Sequence, residues 1–325
     1  MKRVVISLAV VLVFLFGCFG CTAKPDSDTV TPTITAPSYT PTPRPTKTPD
    51  QKATATSDPF HIDFSELDIE QQDQRVNILL LGSDQRRNLD QNTDVIILLS
   101  LDPDKGTASM LSFPRDLYIE IPGVGNDRIN TTQRYGGFSM TRDVFQQNFG
   151  VRVDYYLMTN FTGFKDIVNL LGGITVNAAY EFADTCPNAA ADNYCVVHAG
   201  ENIMDGSTAL WYVRSRYSTS DYDRTRRAQE VMLAIFKKAI SLDAVDRSAE
   251  FFDLFKSSVE TDIPFSKIVE LLPLAVQLGN DPSRIKQYSI GAESTSAYIV
   301  PVTGDFVLMW DKDAVSEIVN RALNN

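Results

Sequence analysis

The chain has 325 residues, with 43 % hydrophobic and 22 % charged side chains, which is the composition of a globular protein with at least one sizeable core. Its net charge of −11 excludes bulk nucleic-acid binding, because that requires a wide basic surface to displace counterions. Only two histidines are present, His61 and His198, so histidine-dependent acid–base chemistry has little to draw on.

The N-terminus, MKRVVISLAVVLVFLFGCFGC, sets Lys2 and Arg3 before an apolar run over 4–16. That pattern predicts an export signal or a short membrane anchor over 1–21. Leu15-Phe16-Gly17-Cys18 resembles a bacterial lipobox, with Cys21 as the competing site of lipidation. Eight of the 16 prolines then fall between Pro25 and Pro59, in a Thr-rich context that cannot pack a core. Residues 22–72 are therefore expected to be a disordered spacer, whose Pro/Thr-rich part over 22–59 could reach roughly 100 Å at the polyproline rise. A single globular domain is expected over 73–325.

Within it, RVNILLLGSD (75–84) and TDVIILLSLDP (93–103) read as buried strands. DPDKG turns the chain into a hairpin partner, TASMLSFPRD, and LYIEIPG adds a short strand. A helix is predicted over 142–149, a strand at VDYYLMTNF, a helix at GFKDIVNLLGG ending on two glycines, and a strand at ITVNA. MDGSTALWYVRSR reads as a short helix capped by Asp205 that runs into a strand. Helices follow over 223–242, 246–259, 264–278 and 311–323, with a strand at RIKQYSIG. Strands interleaved with helices, after an early hairpin, predict a three-layer α/β/α sandwich around a central mixed β-sheet. Cys186 and Cys195 bracket the short polar stretch CPNAAADNYC, and in an exported protein they are most simply a disulfide.

No G-x-S-x-G elbow, P-loop or H-E-x-x-H motif occurs in the sequence. Charged residues instead stand at the ends of apolar strands: Asp84 after the first, Asp94 opening the second, and Arg115-Asp116 closing the third. Strand ends are where ligands bind in α/β folds, and paired aspartates without histidine suit Mg²⁺ completed by substrate phosphates. Taken singly, Asp84 serves equally as a turn residue and Asp94 as a cap.

Five arginines (Arg214, Arg216, Arg224, Arg226 and Arg227) crowd fourteen positions of this acidic chain. A strand would point Arg214 and Arg216 to one face. Arg224 and Arg227 fall in the first turn of the following helix, where cations oppose the dipole unless an anion binds there. Phosphate is the favoured anion; pairing with Asp221, Asp223 and Glu230 is the alternative, and it suits Arg226 best, on another face of the helix.

The segments NILLLGSD, NTDVIILLSLDP, SFPRD, RIN (128–130), DYYLMTNFTGF, LGGITV, MDGSTALWYVRSR and DYDRTRRAQEVM resemble, in order, those of the LytR–CpsA–Psr proteins of bacterial cell envelopes. They cover about 75–240. The resemblance implies a Mg²⁺-dependent phosphotransferase outside the cytoplasm. It would move a glycosyl phosphate from a polyprenyl-pyrophosphate-linked glycan donor to a peptidoglycan hydroxyl.

By position, Asp84 and Asp94 would be the metal-associated aspartates, and Arg115, Arg214, Arg216 and Arg224 the pyrophosphate-binding arginines, with Arg227 in the same helical motif; Asp84, Asp94 and Arg115 would be the catalytic set. The family's apolar cavity for the prenyl tail directs attention to 264–278, which is apolar on more faces than a surface helix needs, although ordinary core accounts for it equally. Two positions depart from the pattern. Asn92 stands where an arginine is usual, with Arg86 and Arg87 as substitutes on the same loop. Ala228 stands where a glutamine is usual, with Gln229 next. A pyrophosphate hydrolase or a non-catalytic glycan-binding module would use the same residues. A transcriptional regulator is disfavoured by the export signal and the net charge.

Overall fold

The computed structural model describes residues 75–84, 92–186, 194–215, 220–240 and 257–324. The predicted signal, the spacer, Arg86, Arg87, Arg216 and most of the predicted helix 246–259 lie outside these residues.

Three apolar segments form the antiparallel meander β1 (Val76–Ser83), β2 (Thr93–Asp102) and β3 (Thr107–Ser112). Beyond the short strands β4 (Tyr118–Ile121) and β5 (Gly125–Arg128), helix α1 (Thr132–Phe149) leads to β6 (Tyr155–Asn160). The helix breaks at Gly136–Gly137, where Gly137 takes φ 63°, a value that favours glycine. Strand β6 pairs in parallel with β1.

Helix α2 (Phe161–Leu170), strands β7 (Ile174–Ala178), β8 (Phe182–Thr185), β9 (Tyr194–Val197) and β10 (Gly200–Met204), and helices α3 (Gly206–Arg214) and α4 (Asp221–Ala239) follow. The chain closes with β11 (Val259–Thr261), α5 (Phe265–Asn280), β12 (Ile285–Ser289), β13 (Thr295–Ile299), β14 (Phe306–Trp310) and α6 (Lys312–Leu323). The central sheet has the order β11-β6-β1-β2-β3-β12, and it is mixed because β1–β6 and β3–β12 run parallel.

The uninterrupted apolar runs of β1 and β2 arise because both faces of the sheet are covered. Leu79, Leu81, Ile96, Leu98 and Leu111 pack with Phe145 and Phe149 of α1 and Val315 and Val319 of α6. On the opposite face Ile78, Leu80, Ile97 and Met110 meet Ala228 of α4 and Leu274 and Leu278 of α5. The expected three-layer architecture is therefore present. A further cluster joins α2, α3 and α4 to β7, β8, β9 and β10 through Val168, Val176, Phe182, Tyr212 and Val231.

Two predicted elements need correction. The segment WYVR continues as helix to Arg214, and Ser215, the last residue described before position 220, is not in a strand. Its strand-prone side chains are overridden by burial of Ala209, Tyr212 and Val213, a helical i, i+3, i+4 spacing. The predicted helix over 246–259 ends on a residue that begins β11, held against β6 by the pairing Val259↔Thr159. The disulfide Cys186–Cys195 forms, with a Cα–Cα distance of 5.7 Å, beside the ladder of β8 and β9.

Candidate functional site

The strand pair β1–β2 carries an irregularity at its end. Gly82 opposes Val95 and Ser83 opposes Thr93, so Asp94 has no partner on β1. This β-bulge re-aims one side chain at the end of the two central strands. Oδ1 of Asp94 accepts a hydrogen bond from Nη1 of Arg115 at 2.7 Å. Asp84 closes the same pair from the other strand, its N–H donating to the Asn92 carbonyl at 3.1 Å.

Arg115 leaves β3 behind Pro114, and its Nε lies 3.4 Å from Asp116 and 3.9 Å from Asp221. Burial alone would lower the pKa of this guanidinium, but the bond to Asp94 and the charges of Asp94, Asp116 and Asp221 hold it above its ordinary value.

Ser220 and Asp223 form a capping box that starts α4, which places Asp221 and Arg224 in the first turn. Arg224 is 5 % exposed and forks onto Asp221, with Nε–Oδ1 at 2.9 Å and Nη2–Oδ2 at 3.1 Å. Asp94, Arg115, Asp221 and Arg224 thus form one continuous chain of alternating charge. Arg128 extends it, lying 3.8 Å from Asp116 and 3.5 Å from Asp305.

The remaining arginines separate. Arg214 is exposed in the last turn of α3, with its guanidinium 4.1 Å above the Phe161 ring. Arg226 pairs with Glu230 and Asp223 and covers Tyr180, in keeping with its expected place on another face. Arg227 is fully buried, 3.9 Å above Phe182 and 5.5 Å from Tyr212, and Nη2 donates to the Ser215 carbonyl. The structure therefore brings Arg115 and Arg224 together and sets Arg227 in the core.

The donor chemistry around Asp94 is that of hard oxygens. Among the described residues, the carboxamide oxygens of Asn92 and Asn130 are buried without a hydrogen-bond partner. Asn130 is tied in through its backbone, its N–H donating to Arg115 O at 3.2 Å and its carbonyl accepting from Thr93 Oγ1 at 3.5 Å. No cluster of three or more His, Cys, Asp or Glu residues suited to a metal occurs among the described residues. Two carboxylates with oxygen neighbours fit a small divalent cation that keeps positions for phosphate and water, and do not fit a fully protein-enclosed one.

Between the sheet and helices α2, α3 and α4 lies an apolar cavity of about 410 Å³. Leu157, Phe164, Leu210, Met232 and Phe236 are among its walls, and Ser83 at the end of β1 and Phe161 beneath Arg214 belong to its lining. A void of about 10 Å³, room for a single water, is lined by Asp94, Ser112, Arg224 and Thr225 and shares two residues with the cavity, Val95 and Ala228.

The segment 264–278 supplies only Leu278 to the described lining. The wall comes instead from α4, whose run VMLAIF (231–236) is apolar on more faces than one core stripe requires, a signal present in the sequence. Gln229, next to Ala228, is turned away, its Nε2 donating to Ser112 Oγ at 2.6 Å and Tyr288 O at 2.7 Å.

The LytR_cpsA_psr family model matches residues 44–322. The polyisoprenyl-teichoic acid–peptidoglycan teichoic acid transferase TagU of Bacillus licheniformis is 30 % identical over 259 residues, covering 78 % of each chain. The crystal structure of B. subtilis TagV superposes with a TM-score of 0.63 at 24 % identity, over 78 % of this chain and 98 % of that one, a likeness of fold. A structure of TagT bound to LIIa-WTA gives a TM-score of 0.60 at 25 % identity, over 82 % of this chain and 98 % of that one.

Proposed function

This chain belongs to the LytR_cpsA_psr family, and we propose from that premise that it transfers a glycosyl phosphate from a polyprenyl-pyrophosphate-linked cell-wall glycopolymer to a peptidoglycan hydroxyl. The observation that carries the reading is the adjacency of an apolar cavity to the charged chain Asp94–Arg115–Asp221–Arg224, since Val95, next to Asp94, and Ala228, one turn from Arg224, belong to the cavity lining. An amphiphile with a long hydrocarbon tail and a concentrated anionic head suits that pairing. A teichoic acid donor is the first to assay, given the names of the relatives.

In this reading Arg115 and Arg224 hold the pyrophosphate, Arg214 attends the mouth from above Phe161, and Arg216 joins them by its place in the motif. Asp84 and Asp94 would hold Mg²⁺, which when bound neutralises phosphate charge and polarises the phosphoryl oxygens. The acceptor hydroxyl oxygen bonds to the phosphorus bearing the sugar. The bond from that phosphorus to the bridging oxygen breaks, prenyl phosphate leaves with the electron pair, and the hydroxyl proton is released.

Such a transfer needs charge neutralisation and alignment more than a covalent nucleophile, which accords with a site built of guanidinium and carboxylate groups. Arg227 supports the reading indirectly, by fixing the Ser215 carbonyl at the end of α3. The apolar segment 4–16 would anchor the domain at the outer membrane face, with the Pro/Thr-rich spacer carrying it toward the wall. Incubation with lipid-linked donor and peptidoglycan tests the function. Phosphodiester-linked product is expected, release of free glycosyl phosphate would make the protein a hydrolase, and neither product would leave it a binding module.

A further inference from the structure

We propose that Asp184 is a positioning residue of the anion site: acting through Ser215, it fixes the stretch of chain that carries Arg214 and Arg216 and so presets those arginines for a pyrophosphate. The inference rests on the donor reading above and adds to it a residue that touches neither donor nor metal.

Ser215 stands between Arg214 and Arg216 in the sequence and caps the end of α3 with φ −64° and ψ 136°. All three of its polar groups are engaged. Its N–H donates to the Trp211 carbonyl at 2.9 Å, its hydroxyl donates to Oδ2 of Asp184 at 2.7 Å, and its carbonyl accepts from Nη2 of Arg227. A held carbonyl holds its peptide plane, so the chain leaves Ser215 in one direction. A neutral serine thus lies between a buried carboxylate and a buried guanidinium, 2 % and 0 % exposed. Hydrogen bonds to ionised partners are the strong ones, and burial strengthens them further.

Asp184 is itself firmly seated. Phe182 and Asp184, two apart on β8, share a face and are both buried. Oδ1 of Asp184 accepts from the Thr185 N–H at 2.7 Å, while Oδ2 takes the serine hydroxyl. Phe182 carries the Arg227 guanidinium, and the charge of Asp184 offsets part of the cost of burying that cation. A second tie joins β8 to α3, from Trp211 Nε1 to the Thr185 carbonyl at 2.8 Å. Behind both ties, the pairing of β8 with β9 is closed by Cys186–Cys195. Burying two opposite charges costs more than packing apolar groups of the same volume. What the pair supplies that apolar packing cannot is a single orientation for the serine between them.

The test is calorimetric titration of the full chain in detergent with inorganic pyrophosphate and Mg²⁺, below the Tm of each variant. Ser215→Ala and Asp184→Ala break the same bond from its two ends. Each should weaken pyrophosphate binding roughly tenfold, within the range of coupling inside one hydrogen-bonded network. Val176→Ala is the control, because it removes buried methyl groups from the core of the same lobe and touches neither tie. It should lower Tm and leave the affinity within about twofold of wild type. Should Asp184→Ala fail to fold, Ser215→Ala, the smaller change, carries the expectation alone. Wild-type affinity in folded Ser215→Ala overturns the positioning role. An equal loss in Val176→Ala overturns it too, since the effect would then be a general softening of the lobe. Wild-type affinity in both Arg214→Ala and Arg216→Ala overturns the donor reading and this inference with it.

Discussion

Arg227 is the arginine whose role the structure changes most, and its replacement separates packing from anion binding. Its guanidinium is buried on Phe182 and Tyr212 and donates to the Ser215 carbonyl. A desolvated cation–π contact contributes about 2 kcal/mol and a charge-assisted hydrogen bond about 1.5–3 kcal/mol. Arg227→Ala should therefore destabilise the fold by about 3–5 kcal/mol, once partial collapse of the vacated space is allowed for.

In a domain of this size that corresponds to a fall in Tm of roughly 6–20 °C. Arg227→Met fills much of the space and avoids burying a charge, so its loss should be smaller. Burial lowers the pKa of Arg227 to about 10, so the group is cationic at neutral pH in both states. The unfolded chain binds the extra proton only above that value. The cost of burying the charge is constant below about pH 10 and is relieved as pH rises further. Thermal unfolding by circular dichroism gives Tm, and calorimetric titration with pyrophosphate below each variant's Tm gives anion affinity. A wild-type Tm combined with lost anion binding in Arg227→Ala would refute the core assignment.

Four further outcomes are expected. Arg224→Ala should weaken pyrophosphate binding roughly tenfold to a hundredfold, from the loss of a charge-assisted contact of about 1.5–3 kcal/mol, whereas Arg226→Ala, paired with Glu230, should change it little; equal effects would dissolve the distinction between the two faces. Asp84→Asn and Asp94→Asn should raise the Mg²⁺ concentration needed for transfer, measured as a metal titration of rate, and an unchanged titration in both would remove them from the metal site. A chain beginning at Asp73 should stay soluble and bind pyrophosphate as the full chain does, which sedimentation and calorimetry check. Reduction of Cys186–Cys195 should lower stability by about 2–3 kcal/mol in the loop-entropy account, readable as a Tm difference with and without reductant.

The meander β1–β2–β3 was legible because continuous apolar runs bounded by Asp, Pro and Gly have few other solutions. Asp94, Arg115 and Arg224 were legible as charges at element ends, and the structure gathers them. What their side chains touch was not, because Asp221 competes with any bound anion for Arg224 and nothing local announces a forked pair. Arg227 looked like its neighbours because its aromatic partners, Phe182 and Tyr212, come from β8 and α3, remote in sequence. The end of α3 was misread because Trp, Tyr and Val favour strands until tertiary packing decides otherwise. The cavity needed three helices and a sheet to exist at all, yet the width of the apolar surface on α4 hinted at it.

The unpaired position of Asp94 has a mechanical consequence. Beyond it, β2 is locked: Ile96 and Leu98 belong to the core on one face, and Ile97 and Leu101 to that on the other. A slip by one residue would exchange those faces, so the strand has no freedom to slide. The extra residue works as a fixed offset inserted once into an otherwise rigid ruler. Removing it by deleting Asn92 or Thr93 would move the shift into the loop, while removing Asp94 itself would re-zip the ladder and leave Arg115 facing a continuous strand. Alignment of the carboxylate is therefore decoupled from the packing of the sheet, and substitutions in either core can accumulate without turning it.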